Sequence, residues 1–249
     1  MSAGRLVVVH PTAEVLAEAV AARLLTRILD IQSVRTPVHV VLTGGTIGIR
    51  ALAAVATNPV RGAVDWTEVH VWWGDERFLP DGDADRNETQ ARHALLDSLE
   101  LLPAHNVHAM PPADGNRTAE DAADLYAADL ARFAPDGSSA PSFDVTLVGM
   151  GPDAHVASLF PGHPALEVTG RATTAVHDSP KPPSDRVSLT FEALQGSAEV
   201  WVVASGADKA RAVAAALGGA PVSEAPIGGA TGRLLTAWLV DVDAASAIV

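Results

Sequence analysis

The chain of 249 residues contains no cysteine. Disulfides, thiolate zinc sites, iron–sulfur clusters and cysteine nucleophiles are excluded together, and the composition suits a reducing compartment. Lysine is almost missing: Lys181 and Lys209 are the only two, and every other basic side chain is arginine. Positive charge is scarce overall, with 17 Lys+Arg against 30 Asp+Glu and a formal net charge of -13. Nucleic-acid and anionic-membrane binders need a basic field, so neither partner is expected. Long apolar runs are lacking too. No stretch approaches the ~20 apolar residues of a membrane span. Glu14 and Glu18 interrupt the apolar start of the chain, so no signal peptide is expected and the protein is expected in the cytoplasm.

What is present is a hydrophobic fraction of 48% in a chain long enough to bury a full core without staples. Strand-like and helix-like segments alternate. Arg5–Val9, Val38–Leu42, Val69–Trp73, Phe143–Val148, Glu199–Ala204 and Leu234–Val240 are short apolar runs that predict buried strands. Helical spacing predicts helices from Val15 to Ile31 with Thr12 as cap, and over Ile47–Ala56, Asn87–Leu99, Ala119–Phe133 and Ala207–Leu217. Alternation of this kind predicts an α/β fold with one doubly wound, mostly parallel sheet and helices on both faces. No internal repeat interrupts it, and the linker-like Pro135–Ser142 is short, so residues 1–249 read as a single domain. Four strands end in glycine-bearing or charged loops, after Leu42, Trp73, Val148 and Ala204. Open α/β sheets bind ligands at the carboxyl ends of their strands, which makes that rim the place for chemistry.

Four segments on this rim carry candidates. Thr43-Gly44-Gly45-Thr46 lies between a strand and a helix. Free N–H groups at a helix start favour an anion such as phosphate, although the same residues also make an ordinary tight turn. No G-x-x-x-x-G-K-[ST] occurs, so this is not a nucleotide P-loop. Trp73-Gly74-Asp75-Glu76-Arg77 offers Arg77 as a fork-shaped anion or oxyanion donor with an acid orienting it, or else a solvated loop. Gly149–Gly162 brings Asp153 and His155 to the rim on a glycine turn. Its Gly149-x-Gly151-x-x-Ala154 resembles a dinucleotide fingerprint, but Pro161, Gly162 and Pro164 stop any following helix too early for that. Histidine suits general-base work near neutral pH, and a neighbouring carboxylate can orient it. Asp-x-His is also half of a metal site, yet no further His, Asp or Glu cluster stands at ligand spacing. Neither metal nor cofactor is expected. Ser158, one turn beyond His155, is within reach of it and reads as structural. Lys181, in the stiff Pro180-Lys181-Pro182-Pro183, and Arg186 shortly after it form a fourth group with Lys209. Lys209 opens a helix, where the dipole is positive, and a bound anion would remove that conflict.

These segments, in this order, resemble the 6-phosphogluconolactonase family within the glucosamine-6-phosphate isomerase/deaminase superfamily. The resemblance is carried by Gly44-Gly45-Thr46, by Trp73–Arg77, by Gly149–Gly162, by Pro180–Thr190 and by Gly206–Ala210, and it runs from Arg5 to about Asp241. It departs at Ala154, where the family usually has glycine, at Val156 for a common threonine, and at Arg86 for a common serine before Asn87. The related deaminases carry a glutamate where this chain has Phe160, and Asp-Glu-Tyr where it has Asp75-Glu76-Arg77.

The resemblance implies a Rossmann-like fold of deaminase/lactonase type. It also implies hydrolysis of 6-phospho-D-glucono-1,5-lactone to 6-phosphogluconate in the oxidative pentose phosphate pathway. His155 would be the base, Asp153 its orienting acid and Arg77 an oxyanion donor. Thr43, Gly44, Gly45, Thr46, Asp75, Lys181, Arg186 and Lys209 would hold the phosphosugar, with Lys181 shaping the rim. The expected partner is that small-molecule lactone, and the expected state a monomer, with a weak dimer as the second option. Two other readings share the fold: an amino-sugar phosphate deaminase or isomerase, and a non-catalytic phosphosugar-binding protein.

Overall fold

The computed structural model describes residues 4–248. Six parallel strands form the main sheet in the order β1-β9-β8-β5-β2-β3. They are β1 (Gly4–His10), β2 (Val38–Leu42), β3 (Val69–Trp73), β5 (Val145–Val148), β8 (Glu199–Ala204) and β9 (Leu235–Asp241). The inner strands β2, β5 and β8 are buried along their whole length. That is why they read as continuous apolar runs rather than alternating ones. The helices are α1 (Ala13–Gln32), α2 (Gly45–Thr57), α3 (Asn87–Ala94), α4 (Ala119–Ala131), α5 (Phe191–Gln195) and α6 (Ala210–Leu217). Thr12 caps α1 by accepting from the Val15 N–H, as its sequence position predicts. Thr118 and Asp121 close a reciprocal capping box on α4.

The order of the strands locates the site. From β2 the chain moves outward to β3, then returns to β5 on the other side of β2 and runs on through β8 to β9. The winding therefore reverses between β2 and β5, and a crevice opens beyond their carboxyl ends. Thr43 leaves β2 there and Gly149 leaves β5. The Gly149 N–H donates to Thr43 Oγ1 at 3.0 Å, pinning the two sides of the crevice together.

The sequence reading misses a second sheet. Strands β4 (Asp75–Arg77), β6 (Thr173–Val176) and β7 (Arg186–Leu189) pair antiparallel in the order β4-β7-β6. Asp75–Arg77, read as a loop, is a strand because Gly74 joins the sheets: its N–H donates to Leu42 O and its carbonyl accepts from Leu189 N–H. Three or four residues are too few to show a period, and β4 consists of charged residues only. Two helices are also shorter than expected. Beyond Ala94 the chain leaves the α-helix and forms a separate 3₁₀ turn over Leu96–Ser98, which lets Leu95, Leu96 and Leu99 all turn inward. Residues Ala207–Lys209 form a 3₁₀ turn and α6 begins at Ala210.

Candidate functional site

One cavity of about 680 Å3 opens at the crevice. It is lined by Thr43, Gly44, Gly45, Thr46, Asp75, Arg77, His155, Lys181, Arg186 and Lys209, so ten of the residues expected at the site share one space. Asp153 lies just behind His155.

At one side of the cavity is the start of α2. Its N-cap, Gly44, has no side chain to satisfy the first-turn N–H groups, in contrast to the threonine caps of α1 and α4. Those donors and the positive end of the helix dipole are left for an anion. Glycine is required at position 44 for a second reason. A Cβ there would stand 1.9 Å from Asn87 Oδ1, because Asn87 wedges into the cradle while its Nδ2 donates to Asp75 O at 2.9 Å. Lys209 faces the same cavity, with Nζ 2.7 Å from Asp208 Oδ2. Its cation at the head of α6 thus already has a neighbouring carboxylate. Arg50, on α2, lines the cavity as well and is held only by a 3.5 Å contact to Glu14 between exposed side chains.

At the other side is the turn after β5. His155 Nδ1 is 2.6 Å from Asp153 Oδ1, and the imidazole lies 4.7 Å from the Phe160 ring. Gly151 makes this possible, since a Cβ there would be 2.2 Å from Asp153 Oδ1 and 2.3 Å from the imidazole Cε1. Burial opposes ionisation of Asp153, but hydrogen bonds and charge from His155 and Lys181 outweigh it and hold the carboxyl well below the usual carboxylate range. With Nδ1 turned to Asp153, Nε2 is the nitrogen left for a ligand. A metal at this pair would meet an ammonium: Lys181 Nζ is 3.0 Å from Asp153 Oδ1 and 3.1 Å from His155 Nδ1.

Several expectations are corrected here. The guanidinium of Arg77 is oriented not by an acid but by the Asp85 carbonyl, to which Nη1 donates at 2.6 Å. Glu76 instead takes the backbone N–H groups of Arg77, Asn87 and Glu88 at 2.8, 2.7 and 2.9 Å. Burial pushes its carboxyl up to about 7, against the pull of Arg86 and of those three N–H groups. Ser158 turns away from His155 and donates to Asp75 Oδ2 at 2.7 Å, so Asp75 has a structural tie as well as a place on the cavity wall. Arg186 is 6% exposed, and its Nη2 donates to the Lys181 carbonyl at 2.9 Å. Arg86, standing for the family's serine, turns into the interior, where it donates to Leu79 O and Met110 O. Ala154 has φ +64°, the left-handed region that the usual glycine would occupy freely.

Asn87, Glu76, Arg50 and Asp208 are the residues that sequence reasoning left out of the site. Asn87 and Glu76 sit inside recognised segments, but their tasks depend on β4 and α3 meeting. Arg50 carries only helical spacing as a signal.

Comparison with known proteins gives a consistent result. A model of the family described as glucosamine-6-phosphate isomerases/6-phosphogluconolactonase matches residues 11–238. A 6-phosphogluconolactonase of Streptomyces coelicolor is 54% identical over 243 residues, covering 96% of this chain and 93% of the relative. One of Mycobacterium tuberculosis is 45% identical over 240 residues, covering 96% of each. The solved structure of 6-phosphogluconolactonase from Trypanosoma brucei superposes with a TM-score of 0.85 at 26% identity, covering 98% of this chain and 99% of that one. A monomeric glucosamine-6-phosphate deaminase shares the fold, with a TM-score of 0.78 at 16% identity and coverage of 97% and 99%.

Proposed function

The chain belongs to the glucosamine-6-phosphate isomerase/6-phosphogluconolactonase family, and we propose that it acts as the lactonase, hydrolysing 6-phospho-D-glucono-1,5-lactone to 6-phosphogluconate in the pentose phosphate pathway. It is a hydrolase of a sugar-phosphate ester. The observation that carries the site reading is His155, held by Asp153 behind it, facing the same cavity as the uncapped start of α2.

In the mechanism we infer, His155 Nε2 takes a proton from water as that water attacks the C1 carbonyl. Asp153 holds the ring by its Nδ1–H and stabilises the imidazolium. The carbonyl oxygen becomes negative, and Arg77 with backbone N–H groups of the Gly149–Gly151 turn faces that charge. The tetrahedral intermediate then expels the ring oxygen, which takes the proton back from His155 as the C1–O bond breaks. The phosphate is held at the far end by the Thr43–Thr46 cradle and Lys209, and its binding energy positions the reacting carbonyl. Arg186 contributes chiefly by holding the Lys181 loop, and Asp75 faces the sugar. Phe160 in place of the deaminases' glutamate supports lactone hydrolysis over amine loss. The protein works in the cytoplasm as one domain, and its charge of -13 keeps polyanions away.

His155→Ala is the test. Turnover, with spontaneous hydrolysis subtracted, should fall by at least about 100-fold, the range a general base supplies, while binding of 6-phosphogluconate persists. Wild-type turnover in this variant removes the base from the mechanism. Release of ammonia from glucosamine 6-phosphate would instead favour the deaminase.

A further inference from the structure

We propose that Lys181 is a positioning residue for the Asp153–His155 pair, fixing the carboxylate and opposing charge on the imidazole, rather than an anchor for the substrate phosphate. The inference rests on the lactonase reading and adds to it a task that the sequence assigned elsewhere.

The contacts are direct. Asp153 Oδ1 accepts from both sides, with His155 Nδ1 at 2.6 Å and Lys181 Nζ at 3.0 Å. Nζ is also 3.1 Å from His155 Nδ1. The three groups form one triangle, and the ammonium is held at the reacting end of the cavity. In the substrate the phosphate on C6 and the carbonyl at C1 are separated by several bonds across the ring. A cation in contact with the base that attacks C1 is therefore misplaced for the phosphate, which has the α2 start and Lys209.

The backbone of Lys181 is held as firmly as its side chain. Pro180, Pro182 and Pro183 restrict the chain around it. Its carbonyl accepts from Ser179 Oγ at 2.9 Å and from Arg186 Nη2 at 2.9 Å. The Arg186 guanidinium lies 5.6 Å from the centre of the Phe160 ring, and that ring lies 4.7 Å from His155. The chain of contacts from His155 through Lys181, Arg186 and Phe160 closes back on His155. Arg186 thus serves the pair at one remove, which accounts for a buried arginine whose Nε and Nη2 are spent on loop carbonyls.

Two consequences follow for the reaction. The ammonium helps to keep Asp153 ionised, so the carboxylate stays a pure acceptor for the Nδ1–H. It also repels the imidazolium formed when His155 takes the proton of water, which favours passing that proton on to the leaving oxygen. The charged groups that surround the pair are Lys181 itself and, along the same cavity, Arg50, Asp75, Arg77, Arg186, Asp208 and Lys209. Of these charged groups, among the described residues, only Lys181 touches both members of the pair.

The experiment compares Lys181→Met and Lys181→Arg with wild type, on 6-phosphogluconolactone and on unphosphorylated glucono-1,5-lactone, across pH. In Lys181→Met, kcat should fall on the order of tenfold for both substrates, a fraction of what a general base supplies. KM for the phosphorylated lactone should stay within about twofold of wild type, unlike the large rise expected for loss of a phosphate cation. The acid limb of the rate profile should move to higher pH, because removing a cation lets the imidazole protonate sooner. Lys181→Arg should restore part of kcat.

A rise in KM confined to the phosphorylated lactone overturns the proposal in favour of a phosphate anchor. An equal loss of kcat with an unmoved acid limb overturns it in favour of a structural role. Nitrogen-15 NMR of the His155 ring gives a readout that needs no turnover and no substrate. The ring should titrate at higher pH in Lys181→Met, and an unmoved titration overturns the proposal. Failure of the lactonase reading would show separately, as no lactone turnover above the spontaneous rate in the wild type.

Discussion

At position 154 two effects of similar size compete. The residue is locked in place by its N–H donating to Gly151 O at 3.0 Å and its carbonyl accepting from Ile227 N–H at 2.9 Å. An L-residue in the left-handed region costs about 1–2 kcal/mol, and at φ +64° alanine bears that cost. Its buried methyl returns about 0.8 kcal/mol, and alanine loses roughly 0.5–1 kcal/mol less backbone freedom on folding than glycine would. The sum is close to zero, which explains how alanine stands where relatives carry glycine. Ala154→Gly should therefore leave the urea midpoint nearly unchanged, within about 0.5 kcal/mol of wild type. Ala154→Val adds bulk and a β-branch at positive φ and should cost about 2 kcal/mol or more. A large gain from glycine would mean that the strain outweighs the packing.

Between elements, the decisive contact is that of Glu76 on β4 with the start of α3. The α3 N-cap, Arg86, makes no side-chain cap of its own. Glu76 replaces it from another strand, accepting from the Asn87 and Glu88 N–H groups while also holding the Arg77 N–H. One carboxylate thereby sets both Arg77 and the asparagine wedged against Gly44. Glu76→Gln leaves only one acceptor oxygen for three donors. It should cost about 1–3 kcal/mol for the stranded N–H and raise KM several-fold, read from denaturation and from lactone kinetics on the same preparation. Unchanged KM would separate this contact from the cavity. Glu76 also marks the limit of what the sequence discloses. The inner parallel strands were legible because a strand buried on both faces is a continuous apolar run, and the helices because an amphipathic helix carries a period; the edge strand β1, expected to be buried, is mostly exposed. Thr43–Thr46, Asp153, His155 and Lys209 were legible because they sit where strands end. The antiparallel sheet was not, since Asp75-Glu76-Arg77 has no apolar period and pairs only because β7 arrives from more than a hundred residues away. The tasks of Lys181 and Glu76 were hidden for the same reason: each is set by a partner distant in sequence.

Across the whole molecule, the two ends of the parallel sheet have different chemistry. The carboxyl ends hold the cavity. Near the amino ends of β2 and β3 stands a wall of buried and half-buried rings, with His39, His70, His108, Trp72 and Phe133 in mutual contact and His108 stacked on Trp72 at 3.7 Å. Burial, then the neighbouring histidines and Arg35, push His39 down to about 3, and burial also lowers His70 and His108. These groups bind fewer protons when folded. Their contribution to stability is whole above about pH 6.5 and is lost as pH falls below it, in the case of His39 towards about 3. Glu76 acts with the opposite sign: raised to about 7, it contributes stability that is whole below its unfolded value and is lost as pH rises through 7. Between pH 7 and pH 5 the two terms oppose each other, each with a slope of up to about 1.4 kcal/mol per pH unit. The wild type should therefore lose stability only gently over that interval, with His70 and His108 tipping the balance. Glu76→Gln removes the opposing term, so its urea midpoint should fall steeply from pH 7 to pH 5. His39→Gln removes the larger histidine term and should flatten or reverse the wild-type slope. Parallel slopes in all three proteins would show that neither the ring wall nor the buried carboxyl governs the response to acid.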